Sequence, residues 1–380
     1  MIYLDNAASS YPKPQSVTKG VYKFISENGA NPGRSGHKLS VSAADIVFKT
    51  RYNIARMFGI DDAENIAFVP NATYGINMIL MGCLKKGDHV VTTELEHNSV
   101  LRPLERLRVK KEIEYDIATV DLYDDNITIN NIIRLLRDNT SAVICTQCSN
   151  VCGKVLPIKK LAKSLPDNVA LIVDGSQGAG IIETNIIADG IDYYCAPSHK
   201  GLLGLQGSGF VAINSALPKA VITGGSGSDS DSLIHPSYMP DLLESGTVAT
   251  PSIVSVNYGI EFIKKLGIEK IYNHKKQLEL YLYYKLMQID DVLLYTDVER
   301  GEFIGAFCFN IKETRSDDVA DYLSANDICV RSGLHCAPLA HKKFKTENIG
   351  AVRVSFSYFN DKNDVDRLIK IINKYIKLKK

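Results

Sequence analysis

An α/β domain built on a mainly parallel sheet, followed by a smaller α+β unit, is the architecture the sequence predicts. Three observations carry it. Short apolar runs alternate with amphipathic segments between residues 65 and 174, and that rhythm changes after "ATPSIVSVNYGIEFIKKLG". The chain has 380 residues, 45% of them hydrophobic, enough for two domains and a large buried core.

The elements follow in order. "NIAFV" (65–69) reads as a strand, and "TYGINMILMGCL" (73–84) as a helix. "HVVTT" (89–93) is the next strand, with a helix beginning near Asn98. "EYDIATV", "SAVICTQ" and "VALIVD" continue the strand series, with helical stretches near 129–137 and 157–164 between them. Strand–helix alternation of this kind gives a parallel sheet with helices on both faces, so active residues are expected at the carboxyl ends of the strands. Two long helical patterns then cover about 251–288. The smaller unit follows: "FIGAFCFNI" as strand, "SDDVADYLSA" as helix, "AVRVSFS" as strand and "DKNDVDRLIKIINKYI" as the closing helix. Ser316 and Asp361 stand at expected N-cap positions. The boundary falls near 255–265, giving a large domain over 15–260 and a small one over 261–380, with residues 1–14 packing on the latter.

Composition narrows the function. A formal net charge of +1 gives no electrostatic reason to expect nucleic acid or an anionic membrane as partner. The basic end "KYIKLKK" reads as a solvated helix C-terminus, where cations favour the macrodipole. No basic segment followed by an apolar run opens the chain, and no stretch approaches the ~18 apolar residues of a membrane span. Eight unevenly spaced cysteines read as reduced, which points to the cytoplasm. "GGSGSDSDS" (224–232) reads as a surface loop, or as an active-site or subunit-contact loop, since it lies mid-domain.

Two segments carry chemistry. "VALIVDGSQGAG" places Asp174 at the end of an apolar strand with Gln177 three residues on; a carboxylate there is costly unless it meets a cation or donor. "DYYCAPSHKGLLG" runs a strand into Ser198, His199 and Lys200. A buried lysine has a depressed pKa and forms Schiff bases. Together they suggest pyridoxal phosphate, which needs an amine for its aldehyde, a carboxylate for its ring nitrogen and an anion site for its phosphate. "PNATYGIN" (70–77) supplies that anion site, with Ala72 and Thr73 at a helix N-terminus.

Other motifs stay open on their residues alone. In "VRSGLHCAP" (330–338), Cys336 is a packed sulfur, a metal ligand or a nucleophile; a metal needs more ligands than His335 and Cys336 offer locally. "CTQCSNVC" (145–152) looks like an iron–sulfur or zinc fragment, yet Cys145 falls inside an apolar strand and these cysteines read better as small packing residues. No metal is expected.

The motifs "NATYGIN", "TTELEHNS", "SNVCG", "VDGSQ", "SHK", "ESGT", "RSGLHCAP" and "VRVSFS" occur in an order that closely resembles the aminotransferase class V family, in its cysteine desulfurase and selenocysteine lyase branch. The resemblance extends from "YLDNAASS" to "RVSFSYFND". It implies a fold type I PLP-dependent transferase, with a mainly parallel seven-stranded sheet in the large domain and a homodimer whose active sites lie at the subunit interface. By the same resemblance Lys200 holds the cofactor aldehyde and moves protons, Asp174 faces the pyridinium nitrogen and Gln177 bonds the ring hydroxyl. His97 stacks on the ring and assists proton transfer, and Asn150 lies on the ring hydroxyl side near the substrate. Ala72, Thr73, Ser198 and His199 hold the phosphate, joined by Thr247 from the other subunit. Arg353 takes the substrate carboxylate, with Arg34 and Arg331 lining the entrance.

Cys336 then reads as the nucleophile that accepts sulfur, Arg331 and His335 being candidate cations for its thiolate. The tight loop resembles the short-loop desulfurases, which often need a sulfur-acceptor protein. Tyr74, Gly33 and Leu205 depart from the family pattern, so L-cysteine and selenocysteine both stand as substrates. An aminotransferase or C–S β-lyase, and a non-catalytic sulfur carrier, are the remaining alternatives.

Overall fold

The seven strands of the main sheet lie in the order Ile66–Val69, Gly209–Ile213, Tyr193–Pro197, Ala170–Asp174, Thr140–Thr146, Asp88–Thr93 and Ile113–Ala118. Only Gly209–Ile213 runs antiparallel to its neighbours. The structure is a computed structural model that describes residues 1–33 and 36–379. Central strands such as Ala170–Asp174 and Tyr193–Pro197 are buried along nearly their whole length, which explains their unbroken apolar sequences: both faces are covered by helices.

Caps fix where helices begin. The Asn71 side chain accepts from Tyr74 N at 3.1 Å and starts the helix Ala72–Cys83. The His97 ring does the same for Asn98–Val109, accepting from Ser99 N at 3.0 Å. The helix expected near 129–137 lies earlier, at Asp125–Ile133, because Asp124 accepts from Asn126 N at 2.8 Å and Ile127 N at 3.4 Å. Asp361 is a cap as expected, accepting from Asn363 N and Asp364 N. Ser316 is not: it is buried inside the helix Ser316–Ser324 and its hydroxyl donates to Ile349 O at 2.7 Å.

Two long helices, Thr250–Leu266 and Ile268–Met287, lead out of the main sheet. Beyond them Val352–Val354, Phe307–Ile311 and Val292–Leu294 form an antiparallel three-stranded sheet packed with the helices Ser316–Ser324 and Lys362–Lys379 around a second core. The strands Phe307–Ile311 and Val352–Val354 are shorter than their apolar sequences suggest; Gly305, at φ +90°, turns the chain just before Phe307. The first strand, Ile2–Tyr3, pairs in parallel with Ile328–Cys329, and Asp5 bridges to Ser355. The amino terminus is thus stitched to the carboxyl-terminal core. The segment 224–232 is tied down by Gly246 N donating to Gly225 O and Ser228 Oγ donating to Asp241 Oδ1, both at 2.8 Å. Among the described residues no helix is long and apolar enough to cross a membrane.

Candidate active site

At the carboxyl ends of the central strands lies a cavity of about 260 Å³. Five different stretches of chain deliver its walls: the N-terminus of Ala72–Cys83, the turn at His97, the ends of Thr140–Thr146 and Ala170–Asp174, and the loop after Tyr193–Pro197. The small domain closes it with Arg331, His335, Cys336 and Arg353.

Asp174 ends its strand 2% exposed. Its Oδ1 accepts from Ser176 N at 2.9 Å and its Oδ2 from Ser99 Oγ at 3.3 Å. Gly175 follows because a Cβ there would stand 2.0 Å from the Tyr194 ring. Lys200 follows the strand Tyr193–Pro197, whose neighbour holds Asp174. Gly201 lets the loop turn there, since a Cβ would stand 2.2 Å from Ala179 O. Burial pulls the Lys200 amine down to about 8; Asp174 opposes that shift, while Arg353 and Arg331 add to it.

His97 is neutral, pushed down to about 4 by burial and then by the cations Lys200, Arg331 and Arg353 against the pull of Asp174. Its Nδ1 accepts from Ser99 N, so the ring proton belongs on Nε2. At the start of Ala72–Cys83, the Ala72 and Thr73 N–H groups have no carbonyl one turn back, which makes them an anion site. His199 is also neutral, burial holding it at about 4, and its Nδ1 is buried without a protein partner. Ser10 N and Lys13 Nζ both donate to His199 O, at 2.9 and 3.0 Å.

Arg353 is 1% exposed. Its Nη2 donates to Asp5 Oδ1 at 2.7 Å and its Nη1 to Asn150 O at 2.9 Å, while Nε has no protein acceptor. Asn150 donates through Nδ2 to His335 O at 2.7 Å, and Gln177 donates through Nε2 to Ala7 O at 3.0 Å. Each retains a further N–H and its amide oxygen for the cavity it lines.

Ala72, Thr73, His97, Asn150, Asp174, Gln177, His199, Lys200, Arg331, Cys336 and Arg353 therefore line one cavity. Ser198 does not line it: its hydroxyl is 2.6 Å from Ser208 Oγ, which continues to Ser252 Oγ at 2.8 Å. Thr247 lies elsewhere, lining a separate cavity with Gly225 and Glu244. Arg34 lies outside the described residues. His335 is no cation for the Cys336 thiolate: it is 3% exposed, burial drives it well below its ordinary value, and its Nδ1 is 3.1 Å from His341 Nε2. Arg331 is the cationic candidate that remains.

The remaining cysteines are unlike Cys336. Cys145, Cys148, Cys152, Cys195 and Cys308 are buried, and burial raises every one of those thiols. Among the described residues no group of three or more His, Cys, Asp or Glu is placed to hold a metal. Cys336 is exposed.

The sequence reading missed Asp5, Ser99, Glu96 and His341. Asp5 and Ser99 stand inside the motifs "YLDNAASS" and "LEHNS", but their contacts to Arg353 and Asp174 span 348 and 75 residues. Glu96 is fully buried: its Oε1 accepts from Thr93 Oγ1 at 2.6 Å and Thr146 N at 3.0 Å, and burial raises the acid to about 8.

The model of the aminotransferase class-V family matches residues 2–368. A probable cysteine desulfurase of Methanothermobacter thermautotrophicus is 30% identical over 97% of this chain and 92% of the relative. One of Synechocystis is 27% identical over 99% and 91%. Among solved structures, a cysteine desulfurase from Thermococcus onnurineus in its apo form superposes with a TM-score of 0.91 at 27% identity, covering 99% of this chain and 94% of that one. A cysteine desulfurase from Escherichia coli shares the fold, with a TM-score of 0.88 at 21% identity over 99% and 94%. The chain belongs to the aminotransferase class-V family.

Proposed function

We propose that the chain is a pyridoxal 5'-phosphate-dependent cysteine desulfurase, converting L-cysteine to L-alanine and leaving the sulfur on Cys336 as a persulfide. The observation that carries this reading is the meeting of the Lys200 amine, the Asp174 carboxylate and the Cys336 turn in one cavity. The names of the relatives support it.

The residues fit the cofactor. An amine held near 8 suits its aldehyde, Asp174 suits its ring nitrogen and Gln177 its hydroxyl. The free N–H groups of Ala72 and Thr73, with the unpartnered Nδ1 of His199, suit its phosphate. When bound, the cofactor supplies an electron sink that acidifies the substrate Cα–H and loosens the carbon–sulfur bond.

The chain's own groups do the rest. Arg353, which lines the cavity, holds the substrate carboxylate. Lys200 Nζ, whose lowered basicity leaves part of it neutral near physiological pH, takes and returns the Cα proton. His97 presents an Nε2–H to the cavity without adding charge. Cys336 attacks as thiolate: the sulfur–sulfur bond forms as the carbon–sulfur bond breaks, its electron pair stays on the carbon side, and protonation there gives alanine. Asn150 and Arg331 line the substrate side, and we assign Arg34 to the entrance.

We further assign Thr247 to the cavity of a second copy in a homodimer, a reading supported by the highly exposed Leu233 and Ile234 in the preceding segment. A large domain over 15–260, a small one over 261–380 carrying residues 1–14, a cytoplasmic location and a sulfur-acceptor protein complete the proposal. Purified protein given L-cysteine and selenocysteine, with and without reductant, tests it. The expected result is alanine with reductant-released sulfide, and a Cys336→Ala variant that loses cysteine turnover. Pyruvate formation, or consumption of a keto acid, contradicts it.

A further inference from the structure

Both His335 and Cys336 have left-handed backbones, with φ of +50° and +55°. Neither is glycine, so each costs about 1–2 kcal/mol relative to ordinary conformations, and surrounding contacts have to impose the turn. Backbone anchors account for part of this. Asn150 Nδ2 holds His335 O and Asn98 N holds Cys336 O, both at 2.7 Å, and Ala337 N donates to Leu334 O at 2.9 Å.

The rest comes from side chains behind the turn. The short helix Pro338–Lys343 begins two residues after Cys336 and brings His341, 0% exposed, back beneath it. The His335 and His341 rings meet edge to edge, with centroids 5.2 Å apart and planes inclined by 22°. His335 Nδ1 lies 3.1 Å from His341 Nε2, and His341 Nδ1 lies 2.8 Å from Thr346 Oγ1. At the other end, His335 Nε2 lies 3.4 Å from Arg331 O.

Proton accounting gives this row a direction. When the Thr346 hydroxyl donates to His341 Nδ1, His341 Nε2–H donates to His335 Nδ1, and His335 Nε2–H donates to Arg331 O, every ring nitrogen is satisfied. The opposite polarity leaves the bare Nε2 of His335 facing the Arg331 carbonyl oxygen, two acceptors in contact. His341 O is satisfied in either case by Thr346 N at 2.9 Å. Burial keeps both rings neutral, His341 at about 4.

We propose that Thr346, His341 and His335 form a buried positioning chain that holds the Arg331–Cys336 turn and so places the Cys336 thiol for sulfur capture. None of the three touches the reacting atoms. The chain acts through the carbonyl of Arg331 and the backbone of Cys336. This inference rests on the desulfurase reading for its functional meaning, though the geometry it describes does not.

The test uses the cofactor-loaded enzyme and the variants His341→Phe, His341→Gln and Thr346→Val. Two readouts are followed: alanine formation from L-cysteine, and the rate at which iodoacetamide alkylates Cys336. His341→Phe keeps a ring but severs the row, and its kcat is expected to fall about tenfold to a hundredfold with KM little changed, since small misplacements of a reacting group cost this much. Its Cys336 alkylation rate shifts as the turn loosens. His341→Gln, which accepts from Thr346 and donates to His335, restores kcat to within about threefold of wild type. Thr346→Val falls between the two, and decides the matter if His341→Phe fails to fold or to show the cofactor's visible band. Wild-type kcat and alkylation in His341→Phe or, should that variant not fold, in Thr346→Val overturn the proposal; so does a glutamine variant as impaired as the phenylalanine one. If wild type itself releases no alanine, the desulfurase reading has failed, and alkylation alone decides whether the chain positions the turn.

Discussion

Two lysines, Lys200 and Lys275, line one small cavity of about 30 Å³, and burial lowers the basicity of both. Their surroundings differ. Lys275 donates to Phe356 O at 2.7 Å and is attracted by Glu279 one helical turn further on, whose carboxylate accepts from Gly305 N at 2.6 Å. Its partners are all structural, joining a long helix to the last strands. Lys200 instead opens onto the main cavity, where it meets Asp174 among groups that still have unpaired N–H bonds. Burial lowers a lysine's pKa anywhere; what separates an amine built for chemistry is that its neighbours leave room for something else to bind.

The largest expected effect follows from this contrast. Lys200→Ala should cut alanine formation by at least about a thousandfold, the scale of a lost general acid–base group; normal turnover in an alanine-release assay would refute the role given to that amine. Next, Asp174→Asn should lower kcat by about a hundredfold, since it removes the charge facing Lys200. Steady-state kinetics on a folded, cofactor-loaded variant would check this. Lys275→Met sharpens the comparison from the other side: it leaves Glu279 buried without its cation, so about 3 kcal/mol of stability should go while kcat stays near wild type. Urea unfolding measures the loss, and an inactive but fully stable Lys275→Met protein would erase the distinction between the two lysines.

The smallest effect concerns Glu96, beneath the same site. Its acid is raised from 4.5 to about 8 by burial, so the folded state holds a proton that the unfolded state gives up. The stability it contributes is complete below about pH 4.5 and is lost as pH rises through about 8. Glu96→Gln should be nearly silent below about pH 4.5 and should remove the decline between there and about 8, leaving the variant the more stable protein near neutral pH, as thermal unfolding across pH would show.

Much of this was legible in the sequence where the signal is local. "VALIVD" reads as a buried strand because every residue but its last is apolar, and "PNATYGIN" announces a capped helix through Asn71. The helix at Asp125–Ile133 was displaced from its expected place because a single cap, Asp124, outweighs a diffuse apolar pattern. What stayed illegible depends on pairs far apart in the chain. Arg353 signals a partner by sitting mid-strand, yet nothing near it names Asp5. Cys336 advertises its motif but not its left-handed turn, and His335, a plausible cation by proximity, is held neutral by burial against a second histidine that only the fold brings beneath it.

The most direct test of the central claim sets the two lysines against each other once more. Borohydride reduction of the cofactor-loaded protein, followed by peptide mapping, should find the pyridoxyl group on Lys200 and leave Lys275 unmodified. A label on Lys275, or no label on Lys200 in an active preparation, would contradict the account.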